Sequence, residues 1–153
     1  MKILIADSIE KEGIDLLKKN THTVDICLEQ SEEELITKIS GYDALVVRSQ
    51  TKVTKKIIEA GKKLKVIGRA GIGVDNVDVP TATRKGVLVV NAPNSTVGTT
   101  AEHTIAMMMA LVRKIPCANN AVKNGEWKKN KFLGIEIRGK TVCIIGLGRI
   151  GSE

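Results

Sequence analysis

A doubly wound α/β fold with a parallel sheet is predicted by three features of the 153-residue sequence. Short apolar runs recur through residues 1–98, several of them continuous rather than alternating, as strands buried on both faces require. Segments of helical pattern separate them, which suits crossover connections rather than hairpins. Glycine clusters follow two of the runs, at the strand ends where open α/β sheets collect ligands.

The strand candidates are residues 2–6 (KILIA), 23–27 (TVDIC), 43–48 (DALVVR), 64–68 (LKVIG) and 86–90 (GVLVV). Residues 9–19 carry Ile9, Ile14, Leu16 and Leu17 and predict the first helix. Ser31 opens SEEELITKI with Ser and Glu three apart, a capping-box spacing. Thr54 to Ala60 predicts a third helix. Asp78 can cap a fourth, with Pro80 tolerated in its first turn because no intrahelical bond needs the missing N–H. Strands joined by such crossovers predict a flavodoxin-like doubly wound parallel sheet over residues 1–98, one domain with right-handed connections.

The turn formers NAPNSTVG then precede a long helix predicted to start near Thr99, with Thr99 and Glu102 at capping-box spacing. Ala101, Ile105, Met108 and Val112 recur on one face, and Met107 to Met109 read as packing rather than as a ligand box. Pro116 kinks or ends that helix, and KNGEW makes a turn. Residues 141–145 (TVCII) predict a further strand leading into Gly146-x-Gly148-x-x-Gly151. Residues 99–153 therefore read as the start of a Rossmann NAD-binding domain, cut within its glycine motif.

Bulk properties exclude several classes. No apolar run approaches the length of a membrane span, and acids lie early in MKILIADSIE, so a cytoplasmic protein with no membrane partner is expected. Cys27, Cys117 and Cys143 have no C-x-x-C pairing, which indicates small apolar fillers and neither a disulfide framework nor a metal site. The formal charge is +7, but residues 1–113 hold 16 Lys and Arg against 14 Asp and Glu, and the remainder 8 against 3. The excess is thus local, densest at WKKNK, and lacks the aromatic interleaving of a single-strand binder, so no nucleic-acid partner is expected.

Three constellations carry chemistry. GRAGIGVDN, residues 68–76, follows the fourth strand, and its glycines allow backbone N–H groups to approach and cradle an anion. Its G-x-x-G-x-G spacing suits a small carboxylate more than a pyrophosphate, although a tight turn requiring positive φ has the same spacing. Arg48, in VVRSQTKVT, stands at the end of the third strand, where a guanidinium can face the same crevice or simply be solvated. A phosphoaccepting receiver domain needs Asp at that place, so Asp7 alone supports it poorly. In the third constellation, Gly146 permits a tight turn, Gly148 lets a pyrophosphate approach the backbone, and Gly151 lets helix and strand pack closely.

GRAGIGVDNVDVPTATRKGVLVVNAPN, TTAEHTIAMMMALVRKIP and GKTVCIIGLGRIG together resemble the NAD-dependent D-2-hydroxyacid dehydrogenases, in order and over essentially the whole chain. VVRSQTKVT and NGEWKKNKF are most similar to members of that family acting on 3-phospho-D-glycerate. The resemblance implies NAD-dependent oxidation of that small-molecule substrate to 3-phosphooxypyruvate, at the entry to serine biosynthesis. A glyoxylate or hydroxypyruvate reductase of the same family is the alternative, and a noncatalytic anion-binding module a second one. It implies that Arg48 contacts substrate, that the backbone of Arg69, Ala70, Gly71, Ile72, Gly73 and Val74 holds its carboxylate, and that Ile72 also touches the cofactor. Gly146, Gly148, Arg149, Ile150 and Gly151 meet the NAD pyrophosphate by the same resemblance, and Lys128 and Lys131 approach the site from a partner subunit. The loop NSTVGTTAEH departs from the many relatives that carry Asn there. The family's acidic ribose-binding residue and its catalytic Arg, Glu and His are expected beyond Glu153, so no catalytic residue is expected in this chain; His22 and His103 match none of them. A fragment without turnover is expected, of an enzyme that is a homodimer or homotetramer when complete.

Overall fold

Five strands, β1 (Lys2–Ile5), β2 (Thr23–Ile26), β3 (Ala44–Val47), β4 (Val66–Arg69) and β5 (Leu88–Asn91), form one parallel sheet in the order β2-β1-β3-β4-β5. The computed structural model describes residues 1–20 and 22–153. Two compact units are present, Met1–Ser95, which holds the sheet, and Thr96–Glu153.

Alternation along the strands divides the core of the first unit. Leu4, Ala6, Leu45, Val47 and Ile67 are buried in one cluster with Leu35 and Ile39 of α2 (Glu32–Ile39), Ile57 and Ile58 of α3 (Lys55–Ala60) and Ala82 of α4 (Val79–Arg84). Ile3, Ile5 and Ala44 point to the other face and pack with Ile9 and with Ile14 and Leu17 of α1 (Lys11–Lys19). This is the doubly wound arrangement: helices cover both faces, and the strands between them read as continuous apolar runs. Burial of so many Leu, Ile and Val side chains at roughly 1.5–3 kcal/mol each is the main favourable term holding the sheet together.

Local signals set the helix starts. Ser31 and Glu34 form the reciprocal capping box, with Glu34 N–H donating to Ser31 Oγ at 3.3 Å and Ser31 N–H to Glu34 Oε2 at 2.9 Å. Asp78 caps α4 by accepting from Thr81 N–H at 3.0 Å, with Pro80 in the first turn.

The second unit differs from its sequence expectation. Residues 141–145 are not a strand; a parallel strand exists only by hydrogen bonding to a neighbour, and among the described residues of this unit there is none. The long helix α5 (Val97–Val112) begins two residues before Thr99, so Thr99 and Glu102 lie inside its first turns and form no capping box. None of its residues is buried. Pro116 does not end it. Lys114, at φ 54°, breaks the chain direction, and Pro116 lies in the first turn of α6 (Ile115–Lys123), where its missing N–H costs nothing. Cys117 and Cys143 are exposed rather than apolar fillers, and only Cys27 packs against the core. A 3-10 turn (Lys129–Phe132) and a single helical turn, α7 (Arg149–Ser152), complete the chain. No helix among the described residues is long and apolar enough to cross a membrane.

Candidate functional site

In the order β2-β1-β3 the chain leaves β1 to one side and returns on the other, so the crevice between the carboxyl ends of β1 and β3 is the topological switch point where such sheets bind ligands. A cavity of about 150 Å³ opens there, lined by Asp7, Ser8, Arg48, Ser49 and Gln50. A larger groove of about 570 Å³ shares Asp7 and Gln50 but is bounded by Glu29 and Glu32, whose charges oppose an anion. The smaller cavity is therefore the one suited to an acidic ligand, since it holds the exposed Arg48.

Asp7, only 3% exposed, organises this crevice. Its carboxylate accepts from the N–H groups of Arg48 at 2.6 Å, Gln50 at 3.2 Å and Thr51 at 3.2 Å, and from the Thr51 hydroxyl. Burial alone would raise its pKa, but the Thr51 hydroxyl and the three N–H groups outweigh it and hold the carboxyl below its ordinary range. An ionised Asp at this point anchors the loop after β3.

The glycine-rich loop starts where β4 ends. Val47 pairs with Arg69, so Arg48 and the loop leave adjacent strand ends side by side. Ala70 N–H donates to the Val47 carbonyl at 2.8 Å and Gly71 N–H to the Arg69 carbonyl at 2.9 Å. The Arg69 guanidinium folds over Gly71, where a Cβ would lie 1.7 Å from Nη1 and would oblige that side chain to move. The carbonyls turn inward: Gly71 accepts from Ala92 N–H at 2.9 Å, and Ile72 accepts from the Asn91 amide. Among the described residues, no hydrogen bond engages the N–H groups of Ile72, Gly73 or Val74. These three, rather than Ala70 and Gly71, are the donors left for an anion.

Lys128, Lys131 and residues 146–151 belong to the second unit. Gly146 has φ +106°, a conformation L side chains rarely adopt, and a Cβ on Gly151 would meet the Gly146 carbonyl oxygen at 1.9 Å. Gly148 has nothing within 4 Å of the place its Cβ would fill. A turn made tight by Gly146, close-packed by Gly151 and left open at Gly148 fits the pyrophosphate of a dinucleotide. Lys128 is paired with Glu126 at 3.4 Å, and Lys131 lies over the Phe132 ring.

The doubly wound parallel sheet, with a glycine-rich loop at the carboxyl end of β4, places the chain in the α/β class whose ligands gather at strand ends. The family model for the D-isomer specific 2-hydroxyacid dehydrogenase, catalytic domain, matches residues 3–143, and the chain belongs to that family. It is 54% identical to D-3-phosphoglycerate dehydrogenase of Archaeoglobus fulgidus over 100% of its length and 53% identical to that of Synechocystis over 99%. It spans 29% and 27% of those relatives, less than a third of their length. Among solved structures it resembles the TT0316 protein of Thermus thermophilus, with a TM-score of 0.90 and 25% identity over 99% of this chain and 50% of that one. The NAD+-bound 3-phosphoglycerate dehydrogenase of Entamoeba histolytica gives a TM-score of 0.78 and 30% identity over 99% and 48%. The family is one of 2-hydroxyacid dehydrogenases, and the Entamoeba histolytica neighbour carries NAD+.

Two residues that bind the site together were not singled out for that role in the sequence, Asp7 and Asn76. Asp7 follows directly on the β1 apolar run, and a buried acid at a strand's carboxyl end was the available signal. Asn76 stands just beyond the glycines, and nothing in its spacing marks it.

Proposed function

We propose that this sequence supplies the substrate-binding domain, and the opening of the NAD-binding domain, of a D-3-phosphoglycerate dehydrogenase that oxidises 3-phospho-D-glycerate to 3-phosphooxypyruvate with NAD. The observation that carries the reading is the pairing of Arg48 with the unengaged N–H groups of Ile72, Gly73 and Val74 on adjacent strand ends. A guanidinium and a backbone cradle carried on adjacent strand ends suit a substrate with two anionic groups, a carboxylate and a phosphate. The identities of 54% and 53% to proteins of that name favour the same substrate.

In this reading the loop from Arg69 to Val74 receives the carboxylate through the N–H groups of Ile72, Gly73 and Val74, Arg48 receives a second anionic group, and Ile72 borders the cofactor. Lys128 and Lys131 add positive charge from a partner subunit of a homodimer or homotetramer. Gly146, Gly148, Arg149, Ile150 and Gly151 would hold the pyrophosphate of NAD, which when bound accepts the hydride from the substrate's secondary alcohol. Free cysteines suit a reducing compartment, and a cytoplasmic location is part of the reading.

The test is calorimetric titration of the 153-residue chain with 3-phosphoglycerate beside its Arg48→Ala variant. Saturable heat that disappears in the variant supports the reading, and identical weak heats in both overturn it. In a longer protein carrying the whole nucleotide domain, a kcat/KM for glyoxylate above that for 3-phosphoglycerate would transfer the reading to a reductase.

A further inference from the structure

Asn76 makes the only side-chain bridge, among the described residues, from the segment that follows the glycine-rich loop to the loop that carries Arg48. Its amide Nδ2 donates to the Arg48 carbonyl at 3.0 Å and to the Thr51 carbonyl at 2.7 Å. Its backbone carbonyl accepts from Val53 N–H at 2.8 Å, and the Val53 carbonyl accepts from Asp78 N–H at 3.0 Å, so that Val53 and Val77 form an isolated parallel bridge. Asp7 holds the same Arg48–Thr51 loop by accepting from the N–H groups of Arg48, Gln50 and Thr51. The loop is thus gripped twice, donors by Asp7 and acceptors by Asn76.

One atom makes this arrangement unusual. Asn76 Oδ1 is buried without a hydrogen-bond partner, and turning the amide over would place that oxygen against two carbonyls. A buried unpaired acceptor is costly and calls for a reason. The two bonds made by Nδ2 supply one, since they couple the place where Arg48 leaves β3 to the segment continuing from residues 69–74.

We propose that Asn76 is a positioning residue that fixes Arg48 relative to the anion-binding loop, with Asp7 as its counterpart across the same turn. The proposal rests on the reading of Arg48 and Ile72–Val74 as an anion site. Asn76 touches no ligand; it acts through the Arg48 and Thr51 carbonyls. Orientation of this kind matters because a guanidinium displaced by an ångström no longer forms both of its bonds to an anion.

The experiment compares wild type, Asn76→Ala, Asn76→Asp and Asp43→Ala in the 153-residue chain. Asp43 accepts from Lys2 N–H at 2.8 Å at the opposite end of the sheet and serves as the control for a hydrogen bond lost far from Arg48. Calorimetry with 3-phosphoglycerate, well below each variant's melting temperature, should show affinity reduced roughly tenfold by both Asn76 variants. It should be unchanged by Asp43→Ala. Equal affinities in folded wild type and Asn76→Ala overturn the proposal. A second measurement needs no ligand: the Nε–Hε signal of Arg48 and the amide signals of residues 48–51 should move in both Asn76 variants. If those signals stay in place the proposal falls, whatever the calorimetry gives. Absence of binding by wild type overturns the anion-site reading instead, and the resonance measurement still decides whether Asn76 fixes Arg48.

Discussion

The Arg48 N–H meets the Asp7 carboxylate at 2.6 Å, so the residue at the tip of β3 is held by the residue at the tip of β1. Because this carboxyl is held below its ordinary value of 3.8, the stability it contributes is fully present above that value and is lost as pH falls through the lower folded value. Asp7→Asn keeps the shape but removes the charge from several hydrogen bonds, and should cost about 2 kcal/mol at neutral pH. Urea denaturation as a function of pH checks this. The gap between wild type and variant should shrink as pH falls below about 4, while the depressed carboxyls of Asp25, Asp43 and Asp78 lower the stability of both proteins alike. A gap that stayed constant down to the acid limit would remove Asp7's charge from the account.

At the other end of the sheet, the Tyr42 hydroxyl donates to Asp25 Oδ2 at 2.8 Å, with Lys2 Nζ 3.3 Å from Asp25 and 4.5 Å above the Tyr42 ring. Burial, and then the Asp25 carboxylate, push the phenol up to about 12. The stability linked to this phenol is therefore present below its ordinary value of 10.0 and is lost as pH rises from there through about 12. Tyr42 is the only tyrosine, so phenolate absorbance reports on it alone. The folded chain should show little phenolate at pH 10, with ionisation near 12, and half-ionisation at 10 would contradict the arrangement.

The first unit was legible in sequence because its signals are local and agree with one another. Continuous apolar runs gave the parallel strands, and Ser31 with Glu34 and Asp78 with Pro80 marked helix starts that the structure retains. The second unit was less legible. TVCII has the pattern of a buried strand, but pattern alone cannot provide a pairing partner, and α5 begins at Val97 despite the better capping chemistry two residues on. At the candidate site, Arg48 and the glycines stood out by residue type and position. The grip of Asp7 and Asn76 did not, because it joins residues twenty-five or more positions apart through backbone groups that every sequence has.

The glycines at 148 and 151 should respond differently to the same substitution. A Cβ on Gly151 would lie 1.9 Å from backbone, the Gly146 oxygen, which cannot rotate away, whereas Gly148 faces open space. Gly151→Ala should shift the amide signals of residues 144–152, and Gly148→Ala should leave all but its neighbours in place. Comparable spectra for the two variants would mean that Gly151 is not closely packed on the turn.

NAD affinity in the 153-residue chain should be weak even though the glycine geometry fits a pyrophosphate. The helix that follows the motif, Arg149–Ser152, is a single turn, and an isolated turn pays a nucleation factor of roughly 10⁻³. Around it, Ile145 is 97% exposed and Leu147 79% exposed, so little beyond contact with α5 and the Gly151–Gly146 approach holds the amides in place. Glu153 adds negative charge directly after that turn, opposing the phosphates. Titration of the Gly148–Gly151 amide signals with NAD should therefore show no saturation below about 1 mM, an affinity worth only about 4 kcal/mol. Saturable shifts at lower concentration would show that the turn is organised without further packing and that the strand-turn-helix geometry alone suffices for the pyrophosphate.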